Sequence, residues 1–294
     1  MAEKLYGGIE GGGTKFNCAI GSGPENIIAE ARFPTTTPDE TLSQVIEFFT
    51  PYVDQIQGIG LGSFGPFEVD PALPTYGYIT TTPKPHWGNT NVLGMLHEKL
   101  RLPIAVDMDV VVAGLGEAKW GASKDNRASL YLTIGTGIGG GYIVDGKPFR
   151  GLTSPEMGHI RIPHDLKLDP FQGACPYHGD CFEGLAAGPA VEKRLGQRGE
   201  TLPDDHPFWE IEASYIASAL VNFILSLAPQ RIIIGGGVMQ KSSMFPTVRR
   251  KVQELLNNYI SHDMITNKID EYIVLPALGG RSGMLGAIAL IMDS

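Results

Sequence analysis

KLYGGIEGGGTKFNCAI, residues 4–20, sets two short apolar runs on either side of Glu10-Gly11-Gly12-Gly13-Thr14. Apolar runs of strand length around a glycine cluster read as a β-hairpin. LYLTIGTGIGGGYIV, residues 130–144, has the same plan: a strand at 130–134, a turn at Gly135-Thr136-Gly137-Ile138-Gly139-Gly140 and a return strand at 142–144. After each hairpin come further strands and interleaved helices. In the first half these are a helix at 39–49, a third strand at 56–61, a helix at 91–100, a strand at 104–106 and a helix at 110–120. In the second half, helices are expected at 183–195 and 212–227, a strand at 231–234, and a helix at 245–260 with Val248, Val252, Leu255 and Tyr259 on one face. A strand at 272–275 and a helix at 282–292 follow. Each half therefore reads as a mixed sheet flanked by helices, an α/β fold. Residues 66–90, rich in Pro, Thr and Gly, read as a long functional loop. Trp87 either lines a site there or packs beneath the loop, and Cys18 reads as a buried strand residue.

The totals narrow the class. A net charge of −9 argues against a nucleic-acid surface, which needs a basic face. No run of eighteen apolar residues occurs, so no membrane span is expected. The first residues lack the apolar core of a signal peptide, so a cytoplasmic, reduced setting is expected.

The glycine turns are not dinucleotide fingerprints. Gly60–Gly65 and Gly135–Gly140 both fit G-x-G-x-x-G, but that motif needs a strand before it and a helix after it. Pro66 follows the first and a strand follows the second. No P-loop pattern occurs either. What remains is three glycine turns, at 10–14, 135–140 and 235–237. Glycines admit close backbone approach, and successive N–H groups in such turns make anion-binding concavities. Turns bearing Thr14 and Thr136 could clamp a triphosphate; any one turn alone is equally a tight hairpin.

SPEMGHIRIP, residues 154–163, and CPYHGDCFEG, residues 175–184, place His159, Cys175, His178 and Cys181 in one region. Imidazole and thiolate donors suit tetrahedral zinc, and four protein ligands leave no open position, as in a structural rather than a catalytic site. The alternatives are a chance grouping and a Cys175–Cys181 disulfide, which three cysteines and no secretory signal disfavour. Glu156 and Glu183 flank the cluster, where a metal-stiffened loop would present them to a ligand. Asp109 stands where a strand gives way to a helix. It is either a general base, kept ionised by the helix dipole, or a helix N-cap.

These motifs, in this order, resemble the ROK family of repressors and sugar kinases, within the superfamily of sugar kinases, actin and heat-shock ATPases. The likeness spans nearly the whole chain. It is nearest to the family's bacterial fructokinases in Gly7-Gly8-Ile9-Glu10, Thr82-Pro83-Lys84-Pro85-x-Trp87, Asp107-x-Asp109 and Cys175-Pro176-x-His178-Gly179-Asp180-Cys181. The resemblance implies a two-lobed actin-like ATPase fold. A smaller lobe would span 1–117, with the helix at 281–294 packing back on it, and a larger lobe with the zinc loop would span 118–280. It implies that Gly11, Gly12, Gly13, Thr14, Lys15, Gly135, Thr136 and Gly137 sit by the phosphates of ATP, and Gly235, Gly236 and Gly237 by the adenosine. Asp109 would be the base. Asp107, Glu156, His159 and Glu183 would contact the sugar, with His159 also a zinc ligand. Val111 departs from the family, which often has Asn there. The expected reaction is transfer of a phosphoryl group from Mg²⁺-ATP to fructose, giving fructose 6-phosphate, with Glu10 near the magnesium through water. Mannose, glucose or an amino sugar are the alternative substrates. A homodimer is expected. A sugar-sensing repressor is the remote alternative, since only six residues precede Gly7 and the chain is acidic.

Overall fold

Leu5–Gly11 (β1) and Lys15–Gly23 (β2) pair antiparallel across the first glycine turn, with Ile9 opposite Cys18. They open an α/β chain described over residues 3–294 by a computed structural model. Two units are distinguished. The first holds the residues up to Asp125, with Asp145–Phe149 and Ala277–Ser294; the second holds Asn126–Val144 and Arg150–Pro276.

In the first unit, Asn26–Pro34 (β3), Ile56–Ser63 (β4) and Ile104–Met108 (β7) complete a five-stranded sheet in the order β3-β2-β1-β4-β7. β4 runs parallel to β1, and β7 parallel to β4. β3 is a strand that the sequence reading passes over, so Ile56–Ser63 is the fourth strand and not the third. Its residues alternate between half-buried and exposed positions, among them Glu30 and Arg32, and that dilutes the apolar signal of an edge strand. The 66–90 loop carries a small antiparallel pair, Tyr78–Ile79 (β5) with Thr90–Asn91 (β6). Trp87 is fully buried beneath this loop. Its indole N–H donates to the Thr36 carbonyl at 2.8 Å, and its ring stacks on Phe16, so it is a packing residue.

Helices Pro38–Phe49 (α1), Val92–Leu100 (α2), Asp109–Lys119 (α3) and Ser282–Met292 (α10) belong to this unit. α10 packs on α3 and on β1 and β4. Glu117, fully buried near the end of α3, gathers the surrounding backbone. Its carboxylate accepts from the N–H groups of Ala122, Ala277 and Leu278 and from the Ser282 hydroxyl, at 2.6–3.1 Å. Four donors on one carboxylate satisfy a charge that would otherwise be costly to bury.

In the second unit, Ala128–Ile134 (β8) and Ile138–Val144 (β9) form the other hairpin. Arg231–Gly235 (β11) runs parallel to β8, and Ile273–Val274 (β12) parallel to β11. The two-residue strand Lys147–Pro148 (β10) lies in the segment that groups with the first unit. The helix expected at 183–195 is two helices, Phe182–Ala186 (α4) and Gly188–Leu195 (α5). Pro189 forces the break: proline belongs in a first helical turn, and Ala187 is extended. Phe208–Leu227 (α6) starts four residues earlier than expected. Phe245–Leu256 (α7) stops at left-handed Asn257, which leaves Tyr259 beyond the helix and exposed; Leu255 is within the helix but on its solvent side, and the buried face is Phe245, Val248, Val252 and Leu256. Asp263–Thr266 (α8) and Ile269–Tyr272 (α9) complete the unit.

α6 is long and apolar enough to cross a bilayer by length and composition alone. Here it is a core helix: Ala213, Ile216, Leu220 and Ile224 are buried in the main cluster of the second unit. It also buries Glu212, whose two carboxyl oxygens have no hydrogen-bond partner among the described residues. Nearby, Asp169 accepts from the Tyr215 hydroxyl at 2.6 Å and pairs with Arg194 at 3.0 Å. Burial pushes the Glu212 carboxyl well above the usual glutamate range, and Asp169 adds to this against the opposing pull of Arg194. A raised acid favours the folded state most when protonated. The stability it contributes is therefore fully present below the ordinary glutamate range and is lost as pH climbs through the folded value, by about 1.4 kcal/mol per pH unit within that window. Glu212→Gln, which mimics the neutral acid, is expected to shrink the fall in melting temperature between pH 5 and pH 8. Identical pH dependence in the two proteins would remove Glu212 as its source.

Candidate active site

In the first unit, the sheet register places the motif residues at one edge. Glu10 pairs with Gly62 and Gly62 with Asp107, while Gly11 pairs with Ser63 and Ser63 with Met108. The first glycine turn, Asp107 and Asp109 thus all stand at the carboxyl ends of the parallel strands β1, β4 and β7, where open α/β sheets bind ligands. The turn is held by Gly12 N–H donating to the Lys15 carbonyl at 2.9 Å and by the Thr35 hydroxyl donating to the Gly12 carbonyl at 2.7 Å. Gly13 and Thr14 lie between these anchors. Glu10 accepts from the Asn17 amide at 2.8 Å, and burial pushes its carboxyl up despite that bond.

Asp107 is fully buried, and its Oδ1 accepts from the Met108 N–H. Asp109 is the first residue of α3, with Met108 at the N-cap position. Its Oδ1 accepts from the Val110 N–H at 2.8 Å, a contact with the very next residue and not the reach to the second or third N–H that defines a cap. The N-cap reading of Asp109 is therefore corrected.

In the second unit, the remaining two glycine turns lie side by side. β11 runs next to β8, with Gly235 opposite Thr133. Gly236 has φ 94°, and a Cβ there would fall 2.4 Å from the Ile134 carbonyl oxygen, so only glycine fits. The Gly188 N–H at the start of α5 donates to the Gly135 carbonyl at 2.7 Å, which is what the break before Pro189 achieves. Gly135, Thr136 and Gly237 line a cavity of about 530 Å³ together with Trp209, Val238 and Lys241. Lys241 is fixed there by the Leu202 carbonyl at 2.7 Å and the Asp204 carboxylate at 2.6 Å. The sequence reading has the glycines of this cavity but neither Trp209 nor Lys241. Trp209 falls in the first turn of α6, ahead of the helix expected from residue 212, and no motif marks Lys241.

The sulfur and nitrogen donors of His159, Cys175, His178 and Cys181 all lie within 4.8 Å of one another. His159 Nδ1 stands 3.6 Å from Cys181 Sγ and 3.8 Å from Cys175 Sγ, and His178 Nδ1 stands 3.7 Å from Cys175 Sγ. Edges of about 3.5–3.8 Å are those of a tetrahedron with zinc bonds of ~2.0–2.3 Å. The donor set and its spacing therefore fit zinc. The three cysteines are free, which disposes of the disulfide alternative. Without a cation, burial pushes the Cys181 thiol up to about 11, with Cys175 adding to the rise. The loop is knitted by a mutual pair of backbone bonds between Cys175 and Gly179 and by Phe182 N–H on the Ile160 carbonyl.

The flanking acids differ. The carboxyl of Glu156 is pushed up by desolvation; Glu183 adds to the rise and His159 opposes it. Glu183, in the first turn of α4, uses Oε2 to accept from the Ile138 N–H at 2.8 Å. Of the groups expected around a sugar, Glu156, His159 and Glu183 are brought together in this unit.

The ROK family profile matches residues 6–294. A putative fructokinase of Bacillus subtilis is 46% identical, covering 97% of this chain and 95% of its own. The fructokinase of Zymomonas mobilis is also 46% identical, covering 99% and 97%. Among solved structures, the ROK hexokinase of Thermus thermophilus has the same fold, with a TM-score of 0.80 at 22% identity over 98% of both chains.

Proposed function

The chain belongs to the ROK family, and from that premise we propose that it is a fructokinase, transferring the γ-phosphoryl group of Mg²⁺-ATP to the 6-hydroxyl of fructose. The observation that carries the substrate is the 46% identity, end to end, with fructokinases. Phosphoryl transfer asks mainly for alignment and charge neutralisation. Asp109 supplies the base: at the first position of α3 its carboxylate is favoured by the helix dipole and accepts the proton of the attacking hydroxyl. Asp107, Glu156, His159 and Glu183 contact the sugar. The backbone N–H groups of the turns at 11–15 and 135–137 bind phosphate oxygens, and the turn at 235–237 with Trp209 and Val238 takes the adenosine.

Glu10 would hold the magnesium of Mg²⁺-ATP through water, since Mg²⁺ usually keeps several waters. His159, Cys175, His178 and Cys181 would hold a structural zinc, which supplies folding energy to their loop and leaves the Nε2 of His159 as a donor to the sugar. A cytoplasmic homodimer completes the reading. A coupled ADP assay over fructose, mannose and glucose tests it. Fructose is expected to give the highest kcat/KM. A higher value for glucose overturns the substrate and keeps the kinase, and no ADP with any hexose overturns the kinase.

A further inference from the structure

Ile138, the residue that closes the second glycine turn, is gripped from two sides by the segments that carry the metal ligands. On one side its N–H is held by Glu183, two residues beyond Cys181. On the other side Gly158, one residue before His159, lies so close that a Cβ added to it would fall 2.0 Å from the Ile138 carbonyl oxygen. Met157 packs on the same strand, where its sulfur would meet a Cβ at Gly140 at 2.5 Å. The carboxylate of Glu183 also sits 2.9 Å from where a Cβ of Gly137 would stand. One metal-ligand segment therefore presses on the backbone of this turn and the other holds its amide.

We infer that Glu183 is a positioning residue for the nucleotide: by holding the Ile138 N–H it fixes the 135–138 turn in its phosphate-binding shape, and zinc at His159, Cys175, His178 and Cys181 sets nucleotide affinity through it. This rests on the reading of that turn as a phosphate site and adds to Glu183 a task separate from any sugar contact. A turn whose backbone N–H groups must converge on phosphate oxygens loses affinity when its shape is not held in advance. Glu183 and Gly158 hold it, and both depend on the tetrad for their own placement. Metal and nucleotide are then linked reciprocally, as any two ligands coupled through one element must be.

The test uses sugar-free protein, a non-hydrolysable ATP analogue with Mg²⁺, and two readouts: the dissociation constant by titration calorimetry, and hydrogen exchange across residues 135–140. Glu183→Ala is expected to weaken the analogue roughly tenfold, the scale of a lost hydrogen bond to a charged group, and to speed exchange at the turn. Glu183→Gln keeps an oxygen that accepts from the Ile138 N–H, and it is expected to stay within about twofold of wild type in both readouts. Wild-type protein stripped of zinc is expected to behave like Glu183→Ala. Wild-type affinity in Glu183→Ala overturns the inference. Equal weakening in Gln and Ala variants overturns it too, because that would implicate charge and not the hydrogen bond. Unchanged exchange on zinc removal overturns the metal's part. If Glu183→Ala does not fold, the Gln variant and the stripped wild type still decide the matter. Sugar plays no part in these readouts, so an error in the fructose assignment leaves them standing.

Discussion

Asp109→Asn is expected to lower kcat about 10²-fold or more, the usual size of a lost general base. The substitution is close to isosteric, and the Asn side-chain oxygen still accepts from the Val110 N–H that Oδ1 now holds at 2.8 Å. The start of α3 is therefore kept while the proton acceptor is lost. Met108, not Asp109, holds the N-cap position, so little helix stability is at stake. The KM for fructose should move less than kcat, because the step that suffers is proton removal as phosphorus is attacked. Steady-state kinetics and a thermal melt, run on the same preparation, check this. A variant with near-normal kcat would show that Asp109 is not the base.

Cys181→Ser is expected to abolish metal binding and to raise the KM for sugar several-fold. Cys181 is fully buried at the N-cap of α4, one of two thiols that a cation must convert to thiolates. Serine suits an N-cap position but is a poor zinc ligand. Without the ion, His159 and Cys181 no longer share a centre, and Glu156 and Glu183, anchored beside them, lose their common frame. Elemental analysis of protein purified without chelator should give about one zinc per wild-type chain and none in the variant. Metal-free wild-type protein with full activity and an ordered 156–183 loop would make the four residues bystanders.

Much of this was legible from glycine and periodicity. The two hairpins follow from apolar runs divided by glycines, and α10 begins and ends where its apolar pattern does. The tetrad was legible because metal ligands come in few types and tight spacings. Other features depend on tertiary context. β3 is an edge strand whose mixed pattern carries little signal. The break at Ala187 turns on one proline within an otherwise helical pattern. Trp209 and Lys241 reach the cavity beside Gly135 and Gly237 from consecutive elements, α6 and the segment after β11, but only the tertiary fold turns both side chains to the same space. The bond from Glu183 to Ile138 spans 45 residues and leaves no local trace.

α10 has a consequence for biosynthesis. It covers β1 and β4, the first parallel pair of the sheet, yet its segment begins at Ala277, after the whole second unit. Ribosomes add about 5–20 residues per second, so the roughly 150 residues between Asp125 and Ala277 take about 8–30 s to make. Through that interval the apolar faces awaiting α10 have no cover of their own, and Glu117 lacks three of its four donors. The first unit, whose strands are made early, therefore cannot complete its packing until its last segment, Ala277–Ser294, has been made.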